Sequence, residues 1–176
     1  ALERIAYCFQ EFDNVLVAFS GGKDSGVLLN LCYNYADEHG LLDKLTMYHL
    51  DYEAQYQMTT EYVTRTFLEQ FPGIRKMWYC VPIKAQSACA LGEPYWTPWD
   101  AAKKKLWVRA MPENPYVVHE GNLDVPFRHG MVDYEFQDKL SRHFAKKRGT
   151  TAVMVGLRAD ESLNRYAAVA RGKKRR

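Results

Sequence analysis

This chain lacks a hydrophobic run long enough to cross a membrane. Its first apolar stretch, Leu2 to Phe12, carries Glu3, Arg4 and Glu11, so it reads as an amphipathic lead-in helix and not as a signal peptide. Cysteine is scarce and scattered. Cys8, Cys32, Cys80 and Cys89 form no C-x-x-C pair, which argues against a zinc knuckle or a local iron–sulfur motif and fits a reducing cytoplasm. Cys8 and Cys32 fall in apolar helical patterns and read as core. Two common phosphate motifs are also missing. Val17 and Asp24 stand where a Walker loop needs glycine and Ser/Thr, and no glycine triplet has the G-x-G-x-x-G spacing. Low-complexity segments and internal repeats are absent. Net charge is only +3, so no global field of one sign points to a partner.

What is present is concentrated in one segment. Val15 to Phe19 is a run of five apolar residues, read as a buried strand. Ser20-Gly21-Gly22-Lys23-Asp24-Ser25 follows directly, and Val27, Leu28, Leu29 and Leu31 then open a helical pattern. A strand entering a glycine loop and then a helix suits phosphate binding. Glycines let the backbone approach an anion, and the N–H groups at the helix start point at it. Ser20 and Ser25 add hydroxyls, and Lys23 adds positive charge. Asp24 suits a metal ion or a cap on the loop's N–H groups better than a phosphate.

Along the chain, helices are expected at 2–12, 25–39, 58–71, 133–148 and beyond 156–162, and strands at 15–19, 45–50, 74–81 and 151–155. That alternation predicts an α/β fold with a doubly wound, mostly parallel sheet in one domain of 176 residues. The chain begins without Met and stops inside a basic run, so it is expected to be a fragment of a longer protein. Residues 84–130 break the rhythm. They hold most of the prolines, three of the four tryptophans and the triplet Lys103-Lys104-Lys105. This insertion is either a lid that recognises substrate or an insertion packed by its own aromatics.

Ligands in such sheets bind beyond the carboxyl ends of the strands. Three segments are expected there: loop 20–25, Asp51 to Gln55, and Gly156 to Ser162. Asp51 suits ribose hydroxyls or adenine, or simply a helix cap. Arg158 suits phosphate or sulfate through its guanidinium fork. Asp160 could cap a helix or, with Asp24, hold Mg²⁺. Arg165 lies two helical turns past Arg158 and could share its anion. In the insertion, Trp96 and Trp99 are candidate substrate anchors, and Lys105 and Arg109 candidate anion contacts.

Ser-Gly-Gly-Lys-Asp-Ser at 20–25 resembles the pyrophosphate loop of the adenine nucleotide alpha-hydrolase-like superfamily. That superfamily includes the N-type ATP pyrophosphatases and the 3′-phosphoadenylylsulfate (PAPS) reductases. His49 to Gln55, Trp96 to Asp100, Asp-Tyr-Glu-Phe-Gln at 133–137 and Gly-Leu-Arg-Ala-Asp-Glu-Ser-Leu-Asn-Arg at 156–165 extend the likeness. They resemble one bacterial and phage branch of the PAPS reductase family, the branch that includes immunoglobulin-binding regulator A. The resemblance implies a Rossmann-like fold binding ATP, PAPS or adenylylsulfate. Ser20, Gly21, Gly22, Lys23, Asp24, Ser25, Asp51, Gly156 and Arg158 would contact the nucleotide. Lys23 and Arg158 would stabilise developing charge in a sulfonucleotide reductase, a transferase or an ATP pyrophosphatase. One departure stands out: the Glu-Cys-Gly-Leu-His motif whose cysteine attacks sulfur in true PAPS reductases is absent. The cysteine then lies in a further C-terminal part, or this branch does not reduce PAPS. The alternative is a nucleotide-sensing regulator that contacts DNA or a protein through basic clusters at 103–105, 146–148 and 173–176.

Overall fold

The computed structural model describes residues 1–86, 92–158, 160, 163, 166 and 167. Its centre is a five-stranded sheet of β1 (Asn14–Ala18), β2 (Leu45–Leu50), β3 (Arg75–Cys80), β6 (Val117–His119) and β7 (Thr151–Val155). The spatial order is β6-β3-β2-β1-β7, and every neighbouring pair is parallel. A short antiparallel pair, β4 (Ala85–Gln86) and β5 (Tyr95–Trp96), stands apart from it.

Parallel strands need crossovers, and these place helices on both faces of the sheet. On one face lie α1 (Leu2–Glu11), α2 (Lys23–Glu38) and α3 (Gln57–Glu69). Their Ile5, Phe9, Leu29, Cys32, Val63 and Phe67 bury against Val15, Val17, Leu45, Met47 and Trp78. On the other face α4 (Asp133–Arg148) buries Phe136, Leu140 and Phe144 against Leu16, Tyr48, Leu50 and Tyr79. The strands supply both cores by simple alternation, since successive side chains leave opposite faces of a pleated strand.

The expected α/β, doubly wound, Rossmann-like architecture is what the chain adopts. α4 and β7 have the expected bounds, and Gly149 ends α4 at φ +97, a conformation that favours glycine. Two boundaries shift in a way that matters. β1 stops at Ala18, and α2 starts at Lys23, so Lys23 and Asp24 belong to the helix's first turn. Three short strands were not anticipated, all inside the insertion: the β4–β5 pair, and β6, where three residues after Pro112 and Pro115 carry too short a pattern to read. The helix expected beyond 156–162 falls largely outside the described residues.

From β1 the winding runs through β2 and β3 to β6. It then returns to the far side of β1 for β7, on the opposite face. The strand order therefore reverses between β1 and β7. The carboxyl ends of that pair form the crevice in which doubly wound sheets hold ligands.

Candidate functional site

The crevice opens into a cavity of about 350 Å³ lined by Ala18 to Ser20, Gly22 to Ser25, Tyr48, Leu50, Tyr52, Gln137 and Val155 to Leu157. Its first wall is the loop after β1. Ser25, 5% exposed, ties that loop to the helix. Its hydroxyl donates to the Gly22 carbonyl at 2.9 Å and accepts the Ser20 N–H at 3.2 Å. The Ser20 hydroxyl lies 3.0 Å from Ser25 Oγ. Because the single Ser25 hydrogen is committed to Gly22, Ser20 is the donor in that pair, and it accepts the Gly22 N–H at 3.3 Å. These two serines hold the shape of the loop. What they leave facing the cavity is the start of α2, whose first N–H groups have no intrahelical partner and whose dipole favours an anion.

Two glycines are required by close approach. A Cβ on Gly21, at φ +81, would lie 2.8 Å from Val63 and 2.9 Å from Thr59, so this residue seats the loop on α3. A Cβ on Gly156 would lie 2.9 Å from the Ser25 nitrogen and 3.0 Å from the Asp24 carbonyl. The end of β7 thus touches the first turn of α2, backbone against backbone. Arg158 follows two residues later, with its guanidinium on both Asp160 oxygens at 3.0 and 2.5 Å. That pairing, together with Asp24, raises the Arg158 pKa, and it lowers that of Asp160.

Of the expected phosphate residues, Ser20, Gly22, Lys23, Asp24, Ser25 and Gly156 line this cavity together. Gly21 lies behind the loop, and Arg158 stands just beyond Gly156. Asp160 is engaged with Arg158 and lies outside the lining, and Arg165 falls outside the described residues. Among the described residues no three His, Cys, Asp or Glu side chains cluster as a metal centre. Asp24 is the carboxylate among the lining residues of this cavity.

Asp51 is placed differently from its expected ribose or adenine role. It is fully buried, on the opposite face from Tyr48, Leu50 and Tyr52. Arg109 donates to both carboxylate oxygens at 2.6 and 2.7 Å, Trp78 Nε1 to one at 2.7 Å, and the Glu53 N–H to the other at 2.7 Å. Glu53, 4% exposed, continues this latch. Its carboxylate accepts the backbone N–H groups of Trp99 and Val108, each at 2.8 Å. Trp99 Nε1 donates to the Asp51 carbonyl at 2.9 Å, and the Arg109 guanidinium lies 4.9 Å from the Trp99 ring centre.

Trp99 and Arg109 therefore fasten the insertion to the turn after β2, and neither lines the cavity. Trp96 sits in β5, and Lys105 is exposed in the 3₁₀ segment Ala101–Leu106. No described residue of 84–130 reaches the lining, so the packed-insertion alternative describes these contacts better than a lid does. Cys80 is buried beside Asp51, 3.9 Å from its carboxylate, and burial pushes its thiol well up, away from the reactive thiolate. Cys89 lies outside the described residues.

Tyr52 lies in the segment 51–55 expected at this edge, but sequence reasoning did not single out Tyr48, Leu50 and Gln137 as cavity residues. The Tyr48 hydroxyl meets Gln137 Oε1 at 3.0 Å, and Tyr52 donates to Asp133 at 3.0 Å, so two tyrosines of the β2 end join the start of α4. The available signal was strand parity together with the polar Asp133 and Gln137 at the start of an amphipathic helix. His49, one residue from Tyr48, faces the other core. Its Nδ1 lies 2.7 Å from the Phe19 carbonyl, just ahead of the loop. Burial, outweighing Asp51 and that hydrogen bond, lowers its pKa, so the ring is neutral and Nδ1–H donates.

Residues 14–174 match the family model for the phosphoadenosine phosphosulfate reductase domain. The chain is also similar to the uncharacterized protein YbdN of Escherichia coli (strain K12), at 32% identity over 178 residues. That match takes in 100% of this chain and 42% of the length of YbdN.

Proposed function

Because the chain belongs to the phosphoadenosine phosphosulfate reductase family, we propose that residues 1–176 form one nucleotide-binding domain. Its β1–β7 crevice would hold the phosphates of ATP or of an adenylylated sulfate. The observation that carries this reading is the junction of loop 20–25, the first turn of α2 and Gly156 on one cavity of about 350 Å³. Backbone N–H groups, Lys23 and the helix dipole there supply positive potential in a concave, partly apolar setting.

The chemistry would centre on the adenylyl group. With ATP, a nucleophile attacks the α-phosphate and pyrophosphate leaves. With an adenylylated sulfate, a nucleophile attacks sulfur and the nucleotide leaves. Lys23 and Arg158 would stabilise the charge that develops on the transferred group, each contact contributing about 2.7–4 kcal/mol in the transition state by analogy with oxyanion donors. Asp24 could meet Mg²⁺ brought by ATP. Calorimetric titration with ATP, AMP, adenylylsulfate and PAPS tests the site; absence of binding by folded protein at millimolar ligand overturns it. Pyrophosphate-release and sulfite-release assays separate the two chemistries.

A second reading, a nucleotide-sensing regulator in the cytoplasm, draws support from the exposed Lys103, Lys104 and Lys105. A gel-shift series with duplex DNA at two salt concentrations, with and without ATP, tests it, because phosphate contacts weaken steeply with salt.

A further inference from the structure

Gln137 is the side chain in the cavity wall with an amide, and its orientation is set. Tyr48 is mostly buried, and its hydroxyl hydrogen has no acceptor among the described residues other than Gln137 Oε1, at 3.0 Å. Burial raises the Tyr48 pKa to about 12, so the phenol keeps its proton and acts as donor at neutral pH. The amide oxygen therefore turns toward Tyr48 and keeps one lone pair to spare. The Nε2 group has no hydrogen bond among the described residues. Both atoms belong to a residue of α4 that lines the same cavity as loop 20–25. The same cavity is lined by the apolar residues Ala18, Leu50, Val155 and Leu157. A flat heterocycle fits such surfaces, with its polar edge toward the amide.

We propose that Gln137, positioned by Tyr48, reads the base of the nucleotide and selects adenine over guanine. This rests on the reading of the crevice as a nucleotide phosphate site. A glutamine amide matches adenine bidentately: Nε2–H donates to N7 while Oε1 accepts from the exocyclic N6 amine. Guanine presents two acceptors on that edge, O6 and N7, so its O6 would oppose Oε1. Tyr48 contributes by preventing the amide from rotating to present the reverse pattern. Gln137 is the specificity residue, and Tyr48 is a positioning residue.

The test measures dissociation constants for ATP, GTP and inorganic tripolyphosphate on the wild-type chain, Gln137→Leu and Tyr48→Phe. Thermal unfolding of each variant is recorded in parallel. Wild type should prefer ATP to GTP by roughly 5- to 150-fold, the range a bidentate pair spans. Gln137→Leu should reduce that ratio to near unity, and Tyr48→Phe should reduce it in part. Tripolyphosphate, which has no base, should bind all three equally. Equal tripolyphosphate affinity with an unchanged ATP/GTP ratio in Gln137→Leu would overturn base reading and leave the phosphate site standing. If the folded wild type binds neither tripolyphosphate nor ATP, the phosphate site itself falls, and base reading falls with it. A variant that fails to fold shifts the decision to the other variant, since either one alone must change the ratio.

Discussion

Replacing Asp51 by Asn separates two roles that the sequence left open, a ribose contact and an internal latch. The carboxylate is fully buried and accepts from Arg109, Trp78 and the Glu53 backbone. Asparagine keeps the shape and one oxygen, but its NH₂ must then face donors from Arg109 or Trp78. It also leaves the Arg109 guanidinium without its counter-charge. Removing one partner of a buried pair costs about 3–5 kcal/mol, and asparagine should lie near the lower bound because one acceptor survives. For a chain of this size, about 3 kcal/mol lowers the melting temperature by roughly 6–12 °C. Urea and thermal unfolding measure the loss, and ATP titration of the folded fraction is run beside them. Nucleotide affinity should hold within a factor of about three, since Asp51 lies outside the cavity lining. Arg109→Met should destabilise by a similar amount. The double variant should lose less than the sum, because no lone charge then remains buried. A stable Asp51→Asn that no longer binds nucleotide would refute the latch and restore the ribose contact.

Gly22→Ala should fold with wild-type stability, because its Cβ meets only Ser20 Oγ at 3.4 Å and φ is −85°. It should nevertheless weaken ATP and tripolyphosphate binding by obstructing approach to the helix N–H groups, which titration checks. Gly156→Ala should cost about 1–3 kcal/mol in chemical denaturation, since its Cβ meets backbone atoms of α2 that cannot yield by rotating a side chain. It should also weaken binding, and an unchanged midpoint would show that β7 and α2 separate freely. His49 gives a pH prediction. Its folded pKa lies below the ordinary 6.5, so the unfolded chain takes up the proton more readily. Its contribution is present above about pH 6.5 and is lost as pH falls through the lowered value. Chemical denaturation from pH 7.5 to 5 should show that loss in wild type, and a His49→Gln variant should show a flatter profile.

Much of the fold was legible because its signals are local. Thr151 to Val155 is a short apolar run after a glycine, and Asp133 to Arg148 carries Phe136, Leu140 and Phe144 on one stripe. β6 was not legible, because three residues between a proline-bearing stretch and the turn at Glu120–Asn122 carry no period of their own, and pairing with β3 alone makes them a strand. Loop 20–25 was legible because its six residues are consecutive. Gln137 was not, because it meets Tyr48 across 89 positions of chain.

By itself the sequence determined the strand–loop–helix unit, the alternation that makes the sheet parallel, and most of the loop residues that line the cavity. These depend on backbone freedom at glycine, side-chain period and nearest neighbours, all written within a few residues. Tertiary structure decided which side of β2 faces the cavity. Strand parity alone sends Tyr48, Leu50 and Tyr52 to one face and His49 and Asp51 to the other. The chain's return across β1 to form β7, with α4 on that same face, turned the first set into cavity wall. The second set was left to the core and to the insertion, where Arg109 neutralises Asp51. A charge that reads as a ligand contact in one dimension becomes an internal tie when a partner 58 positions away removes it from water.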